Sequence, residues 1–188
     1  MPHIELDKNL PGIRALMAFS PKTAEPLSVL AEILLRDNKG LTPTERELIG
    51  TYVSYLNDCF YCHHSHGAIA SCYLNGDEDL VNAVRRDYKT APISEKLKSL
   101  LQIAGKVQKS GKSVLQTDID HAREQGATDL DIHDTVLIAA AFCLFNRYVD
   151  GLATIAPQDL STYPLRARQI VENGYGAHIY SKPQPEKV

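Results

Sequence analysis

The sequence predicts an all-α protein, and three features carry that prediction. The prolines leave two long stretches, 44–91 and 93–156, without any, and in both the apolar residues recur at helical intervals. Thr42-Pro43-Thr44-Glu45 reads as a capping box with proline at the first helical position, and Thr128-Asp129-Leu130-Asp131 resembles a second. No run of alternating apolar and β-branched residues bounded by turns stands out, and only the short Gly176–Tyr180 is compatible with an extended segment.

The elements follow in order. A first helix is expected over about Leu10–Ala18. Ser20-Pro21 supplies an N-cap and a proline at the first helical position for a second, whose face of Leu27, Leu30, Ala31 and Leu34 runs to Arg36. Asp37-Asn38-Lys39-Gly40 ends it. The Thr42 box opens a third helix with the stripe Leu48, Tyr52, Tyr55 and Leu56, broken at Asn57-Asp58. A fourth runs from near Cys59 to about Tyr73, stopped by Asn75-Gly76, and a short one covers about Asp77–Arg86. Leu97, Leu100, Leu101, Ala104 and Val107 define the next helix, which Ser110-Gly111 stops. Thr117–Glu124 is short and ends at Gly126. The Thr128 box opens a helix to about Tyr148 that is apolar nearly all round in its middle and is therefore expected to be central. Ser161–Asn173, ended by Gly174, is the last helix, and the polar segment 181–188, with two prolines, reads as a mobile tail. Glu47…Cys59 and Asp134…Asn146 are each twelve apart on apolar helices, a weak internal echo.

At 188 residues the chain predicts one domain, over about 1–180, with its motif-bearing region at about 41–75. A net charge of −3 and a pI near 6.1 supply no field to hold a polyanion, so nucleic acid is not an expected partner. The longest apolar run, Val136–Phe145, is ten residues, against about 20 for a membrane span, so no membrane is expected either. Met1–Lys8 holds Glu5 and Asp7 and has no apolar stretch of a secretion signal. Four cysteines in such a chain suggest a reducing compartment and a cytoplasmic location.

Chemistry concentrates in Cys59-Phe60-Tyr61-Cys62-His63-His64-Ser65-His66. On a helix, the three- and four-residue spacings put Cys59, Cys62 and His66 on one stripe. The positive end of the helix dipole favours a thiolate at Cys59, while His66, one turn from Cys62, offers that thiol a proton acceptor. These arguments compete for the identity of the nucleophile. The two-residue spacer also permits a disulfide. Glu47 belongs to the preceding helix. In one continuous helix it would lie about 18 Å from Cys59, but the break at Asn57-Asp58 allows the chain to fold back and bring its carboxylate toward the dithiol, to orient His66 or carry protons.

Glu47, eleven residues, Cys59-x-x-Cys62, three residues, His66 resembles in every element and spacing the core of alkylhydroperoxidase D (AhpD), within the carboxymuconolactone decarboxylase superfamily. Leu10-Pro11-Gly12-Ile13 and Asn146-Arg147 resemble its uncharacterised peroxidase-related branch. The resemblance implies a multi-helix all-α fold with the Cys-x-x-Cys at a helix N-terminus, and thiol peroxidase chemistry without metal, haem or other resident cofactor. It implies Cys62 as the peroxidatic thiol, Cys59 as its resolving partner, and Glu47 and His66 as a proton relay. Its expected partners are a small hydroperoxide, a dithiol or lipoyl-type reductant or an adaptor protein, and further copies of the chain in a dimer, trimer or hexamer. Family enzymes often have a histidine just before the second cysteine. Here that residue is Tyr61, a poor base at neutral pH with a reference pKa of about 10. Tyr61 and His63 are candidates for lining the pocket.

Competing readings are a protein-disulfide or dithiol oxidoreductase without peroxide turnover, a redox sensor, and a zinc half-site. The zinc reading lacks a second ligand pair downstream, and a thioredoxin-like module would need βαβ units. Cys72 and Cys143 read as small core hydrophobes. His121 and His133 read as surface residues, and Lys96, Lys98, Lys106, Lys109 and Lys112 as a solvated face.

Overall fold

The start signals in the sequence set where the helices begin. The structure, a computed structural model, describes residues 1–176, so the tail expected at 181–188, the end of the 1–180 domain and nearly all of the 176–180 segment lie outside the described residues. Among the described residues there are nine α-helices and no strand: α1 (Ile13–Phe19), α2 (Pro21–Arg36), α3 (Pro43–Leu56), α4 (Phe60–Tyr73), α5 (Glu78–Asp87), α6 (Glu95–Lys109), α7 (Gln116–Glu124), α8 (Asp129–Gly151) and α9 (Tyr163–Asn173). Single 3₁₀ turns precede α7 and α9, at Gly111–Ser113 and Leu160–Thr162.

Both capping boxes are formed. Thr42 Oγ1 accepts from the Glu45 amide at 3.2 Å and the Glu45 carboxylate accepts from the Thr42 amide at 2.9 Å; Thr128 and Asp131 repeat the exchange at 3.1 and 2.9 Å. Three starts differ from expectation, one of them because Ser161 and Thr162 lie in the 3₁₀ turn and α9 begins only at Tyr163. The first helix begins at Ile13, not Leu10, because Gly12 takes φ +57 and ψ −137, outside helical geometry. Ser20 holds the N-cap position of α2, but its hydroxyl pairs with Thr23 Oγ1 at 2.7 Å and makes no cap bond.

Packing proceeds outward from α8 and α3. Ile138, Phe142 and Phe145 of α8 meet Leu48, Ile49 and Val53 of α3 and Leu100, Leu101 and Ile103 of α6 in one buried cluster. On its other side α3 packs along α4, which in turn carries α9 and α5. Three lysines of α6 are held by acids: Lys106 reaches Asp118 of α7 at 2.6 Å, Lys98 reaches Glu95 at 2.8 Å, and Lys96 approaches Glu45 and Asp131.

By length and composition α8 is apolar enough to cross a membrane, but half of that window is buried within the protein. It also takes Asp131, Asp134 and Asn146 into the interior. Nor is it wrapped on every side, as its apolar middle suggests. Leu130, Leu137 and Leu144, seven apart, remain 44%, 39% and 48% exposed, with His133, Ala140 and Arg147 on the same outward stripe.

One buried cation ties the α2–α3 connection to α8. Arg46 is 1% exposed and donates to the carbonyls of Leu41 (3.0 Å), Leu34 (2.9 Å) and Lys39 (2.7 Å) and to the Asp134 carboxylate at 2.7 Å. The echo of Glu47…Cys59 in Asp134…Asn146 thus has a structural content, since Asp134 pairs with Arg46 and Asn146 bonds the α3–α4 corner. Removing one member of such a pair leaves the other charge buried and three carbonyls without donors. Arg46→Ala is therefore expected to lower the unfolding free energy by about 3–5 kcal/mol, read by urea denaturation followed by circular dichroism. A loss below about 1 kcal/mol, the scale of an exposed ion pair, would contradict this account.

Candidate active site

The corner between α3 and α4 is built by polar side chains. Asp58 takes the left-handed conformation, φ +56, and the Cys59 amide donates to the Ser54 carbonyl at 3.0 Å. Asn57 donates to Asn146 Oδ1 at 2.8 Å and accepts from Gln108 at 2.9 Å, while Asn146 donates to Ser54 Oγ at 3.0 Å. These bonds fasten the corner to α6 and α8 and turn α4 back along α3. Asn146 is accordingly structural. Cys59 becomes the N-cap residue of α4, and Cys62 and His66 lie in its first two turns.

The fold-back places Glu47 and His66 in contact. Glu47 has no solvent exposure, and its Oε2 accepts from His66 Nδ1 at 2.8 Å. Its other oxygen accepts from the Tyr175 hydroxyl at 2.5 Å. Burial, and next the Glu47 charge, push the Tyr175 phenol well above its ordinary range, so it stays protonated and donates. With Nδ1–H committed to Glu47, Nε2 is the acceptor nitrogen of His66. The imidazole is further fixed by the Phe142 ring, edge-on at 4.6 Å, and lies nearly parallel to Tyr175 at 6.0 Å. Phe142 reaches it because Gly50, on α3, has no side chain: a Cβ there would overlap the ring.

Tyr175 is the site residue that sequence reasoning missed. It follows α9 and is held by α2. Arg36 donates to the Ile170 and Val171 carbonyls at 2.8 and 3.0 Å and to the Tyr73 hydroxyl at 3.1 Å. Its helical neighbour Glu32 accepts from the Tyr175 amide at 2.7 Å. Gly174, at φ +80, passes so close to the Glu32 carboxylate that a Cβ would collide with it. Only the Asn173-Gly174 stop signal hinted at this turn, since residues 32, 36, 47 and 175 share no local pattern.

The thiols are unequal. Cys59 is 0% and Cys62 4% exposed, and neither is in a disulfide. Hydrogen bonding to Cys62 and then burial push the Cys59 thiol upward, and the Asp150 carboxylate at the end of α8 adds to this. The Asp150 carboxyl is itself raised by burial, against the lowering effect of Cys59. A raised Cys59 keeps its proton, so at Cys59 its neighbours and burial outweigh the helix N-terminus.

Tyr61 and Tyr163 pack on the dithiol from one side. Both also line a cavity of about 390 Å³, together with His66 and Tyr175, and neither cysteine is among its lining residues. Tyr61 lies against Gly12, where a Cβ would overlap its ring, and burial raises its phenol above the ordinary value. His63 does not line this cavity. Its Nδ1 accepts from Arg85 at 2.9 Å, and burial, followed by the charges of His64 and Arg85, brings its pKa down to about 3. His64 donates to the Phe60 carbonyl. Cys72 and Cys143 are only partly buried, at the edges of the packed clusters. Among the described residues no three His, Cys, Asp or Glu side chains come together as a metal site.

Solved structures that share this fold include the following three. An alkylhydroperoxidase AhpD core, described as an uncharacterised peroxidase-related protein from Ralstonia eutropha JMP134, is 30% identical; the match covers 80% of this chain and 78% of that one, with a TM-score of 0.73. An uncharacterised peroxidase-related protein from Silicibacter sp. TM1040 is 27% identical over 80% of this chain and 78% of that one, again with a TM-score of 0.73. A protein of unknown function from Agrobacterium tumefaciens, named in connection with the antioxidant defence protein AhpD, is 18% identical over 85% of this chain and all of that one, with a TM-score of 0.69, and speaks for the fold alone. No protein-family model matches the chain, and no curated protein does.

The asymmetry of the thiols sets an expected order of reaction. Because the Cys59 pKa is raised, its thiolate is scarce at every pH below about 8.5, the ordinary thiol value. Site-resolved iodoacetamide labelling of the reduced protein should therefore modify Cys62 before Cys59 throughout that range. Faster labelling of Cys59 at neutral pH would reverse the assignment.

Proposed function

We propose, from the premise that the chain belongs to the AhpD-like family, that it is a thiol-dependent peroxidase. The observation that carries this reading is the pairing of an unequal buried dithiol with a histidine one helical turn from Cys62, itself bonded to the buried Glu47 at 2.8 Å. Cys62 thiolate attacks the terminal oxygen of a hydroperoxide. The O–O bond breaks, Cys62 becomes a sulfenic acid, and the departing alkoxide takes the proton that His66 Nε2 accepted from the Cys62 thiol and leaves as an alcohol. The relay then accepts the Cys59 proton. Cys59 attacks the Cys62 sulfur, and the hydroxyl group leaves with that proton as water, closing a Cys59–Cys62 disulfide. An external dithiol, a lipoyl-type group or an adaptor protein returns two electrons and two protons by exchange. The cycle needs no resident cofactor, and a reducing cytoplasm suits it.

Tyr175 enters this scheme as a positioning residue that holds the carboxylate oxygen His66 does not use. Tyr61 stands where related enzymes often carry histidine, and its raised phenol is no base, so proton transfer rests on His66.

Assembly belongs to the same proposal. The outward leucines of α8 present an apolar stripe to solvent, which a second copy would cover in a symmetric dimer or larger ring. Sedimentation equilibrium is expected to show an oligomer, and Leu137→Glu, which places a charge in the middle of the stripe, to shift it toward monomer. A wild-type monomer at micromolar concentration would contradict the assembly.

For the chemistry, stopped-flow mixing of the reduced protein with hydroperoxides should produce a disulfide detectable by intact mass. Cys59→Ser should accumulate a sulfenic acid at Cys62 that dimedone traps, and Cys62→Ser should show none. His66→Ala and Glu47→Gln should slow the reaction by about a hundredfold or more. Tyr175→Phe, which removes one hydrogen bond to Glu47, should slow it about tenfold. Inertness toward every hydroperoxide, with dithiol-driven reduction of a model disulfide intact, would replace this reading with a disulfide oxidoreductase.

A further inference from the structure

The cavity beside His66 has a wall of unusual composition. Much of it is apolar, with Ile13, Met17, Ala31, Ile69 and Ile170 among its lining. Into this surroundings come two guanidinium groups, Arg14 of α1 and Arg166 of α9. Both are half-buried, and among the described residues neither has a carboxylate within ion-pair distance. Arg166 makes a single long hydrogen bond, 3.4 Å, to Gln169. They also feel one another: burial lowers the Arg166 pKa and the Arg14 charge lowers it further, and both arginines act on the Tyr61 phenol. Arg46 and Arg36 are neutralised by Asp134 and Glu32, and the half-buried Arg85, which has no ion pair among the described residues, donates to His63 and Asn82 instead. Two like charges that face an apolar cavity with no acid beside them among the described residues are a cost unless an anion comes between them.

We propose that this cavity binds a small amphipathic carboxylate, its head on Arg14 and Arg166 and its apolar chain along Met17, Ala31, Ile69 and Ile170. The geometry of guanidinium groups matches a carboxylate, and the apolar lining rules out a small inorganic anion as a good fit. At roughly 30 Å³ per water-sized group, the cavity takes about a dozen non-hydrogen atoms, the size of decanoate. Because His66 and Tyr175 line the same space, the ligand lies against the proton relay. Resting on the peroxidase reading, this assigns the substrate class as an organic hydroperoxide that carries a carboxylate and whose peroxide end must pass Tyr61 and Tyr163 to reach Cys62, which is not among the cavity's lining residues.

The test uses the whole reduced protein and decanoate as the probe, with 1-decanol as its uncharged counterpart. In isothermal titration decanoate should saturate one site per chain and bind at least about tenfold more tightly than 1-decanol, the scale of one charge-assisted bond. Arg14→Gln and Arg166→Gln, each confirmed folded by circular dichroism, should lose about tenfold or more in decanoate affinity with little change for 1-decanol. No binding, or equal affinity for acid and alcohol in the unaltered protein, overturns the site, and needs no variant to show it. Decanoate should also compete with consumption of a carboxylate-bearing hydroperoxide. Binding without competition overturns the substrate assignment. Decanoate binding in a protein that turns over no hydroperoxide confirms the site and sinks the peroxidase reading instead.

Discussion

Taking the Glu47 carboxylate wholly out of water carries a penalty of several kcal/mol unless both oxygens find donors, and elements distant in sequence converge to supply them. His66 comes from α4, Tyr175 from beyond α9, and the turn that delivers Tyr175 is held by Glu32 and Arg36 of α2. Much of the tertiary arrangement follows from that single requirement. α4 must fold back along α3, α9 must lie across α4, and α2 must reach the end of α9. The hydrophobic cluster between α3, α6 and α8 supplies cohesion, but the polar convergence decides which faces meet.

The same requirement connects stability with chemistry. A proton relay works when its members are held in fixed tautomers and orientations. Phe142 and Tyr175 leave the His66 ring little freedom, and Glu47 claims its Nδ1 proton. The dithiol follows a parallel logic. At Cys59 the helix N-terminus favours a thiolate, and Cys62, burial and Asp150 together oppose it and prevail.

Much of the fold was legible in the sequence because its signals are local. Thr42 with Glu45 and Thr128 with Asp131 are read within four residues, and each opens a helix in the structure. The pairing of Glu47 with His66 was legible as an expectation, since the break at Asn57-Asp58 permits only a few directions for α4. Tyr175 was not, because its partner is 128 residues away and nothing in its neighbourhood encodes that distance. Nor was the exposed stripe of α8. The apolar count around residues 136–145 says that the helix prefers to be covered, not by what. Gly12 explains the late start of α1, and its left-handed backbone, beside a proline that can begin a helix, was invisible to periodicity.

Arg46 and Glu47 are consecutive, and both are sealed from solvent. Neighbouring helical positions point about 100° apart, so α3 must address two different polar receptors at once, one toward Asp134 and one toward His66. Such a helix cannot slip or rotate to absorb a change in length. Adding one residue between Thr42 and Arg46 would swing the arginine and the carboxylate away from their receptors together. Adding one between Glu47 and Asn57 would instead misalign the corner with α8. The interval from the Thr42 cap to Cys59 therefore behaves as a fixed gauge. Drift in the chain can accumulate in its surface turns, but this segment can be altered only by substitution, never by insertion or deletion.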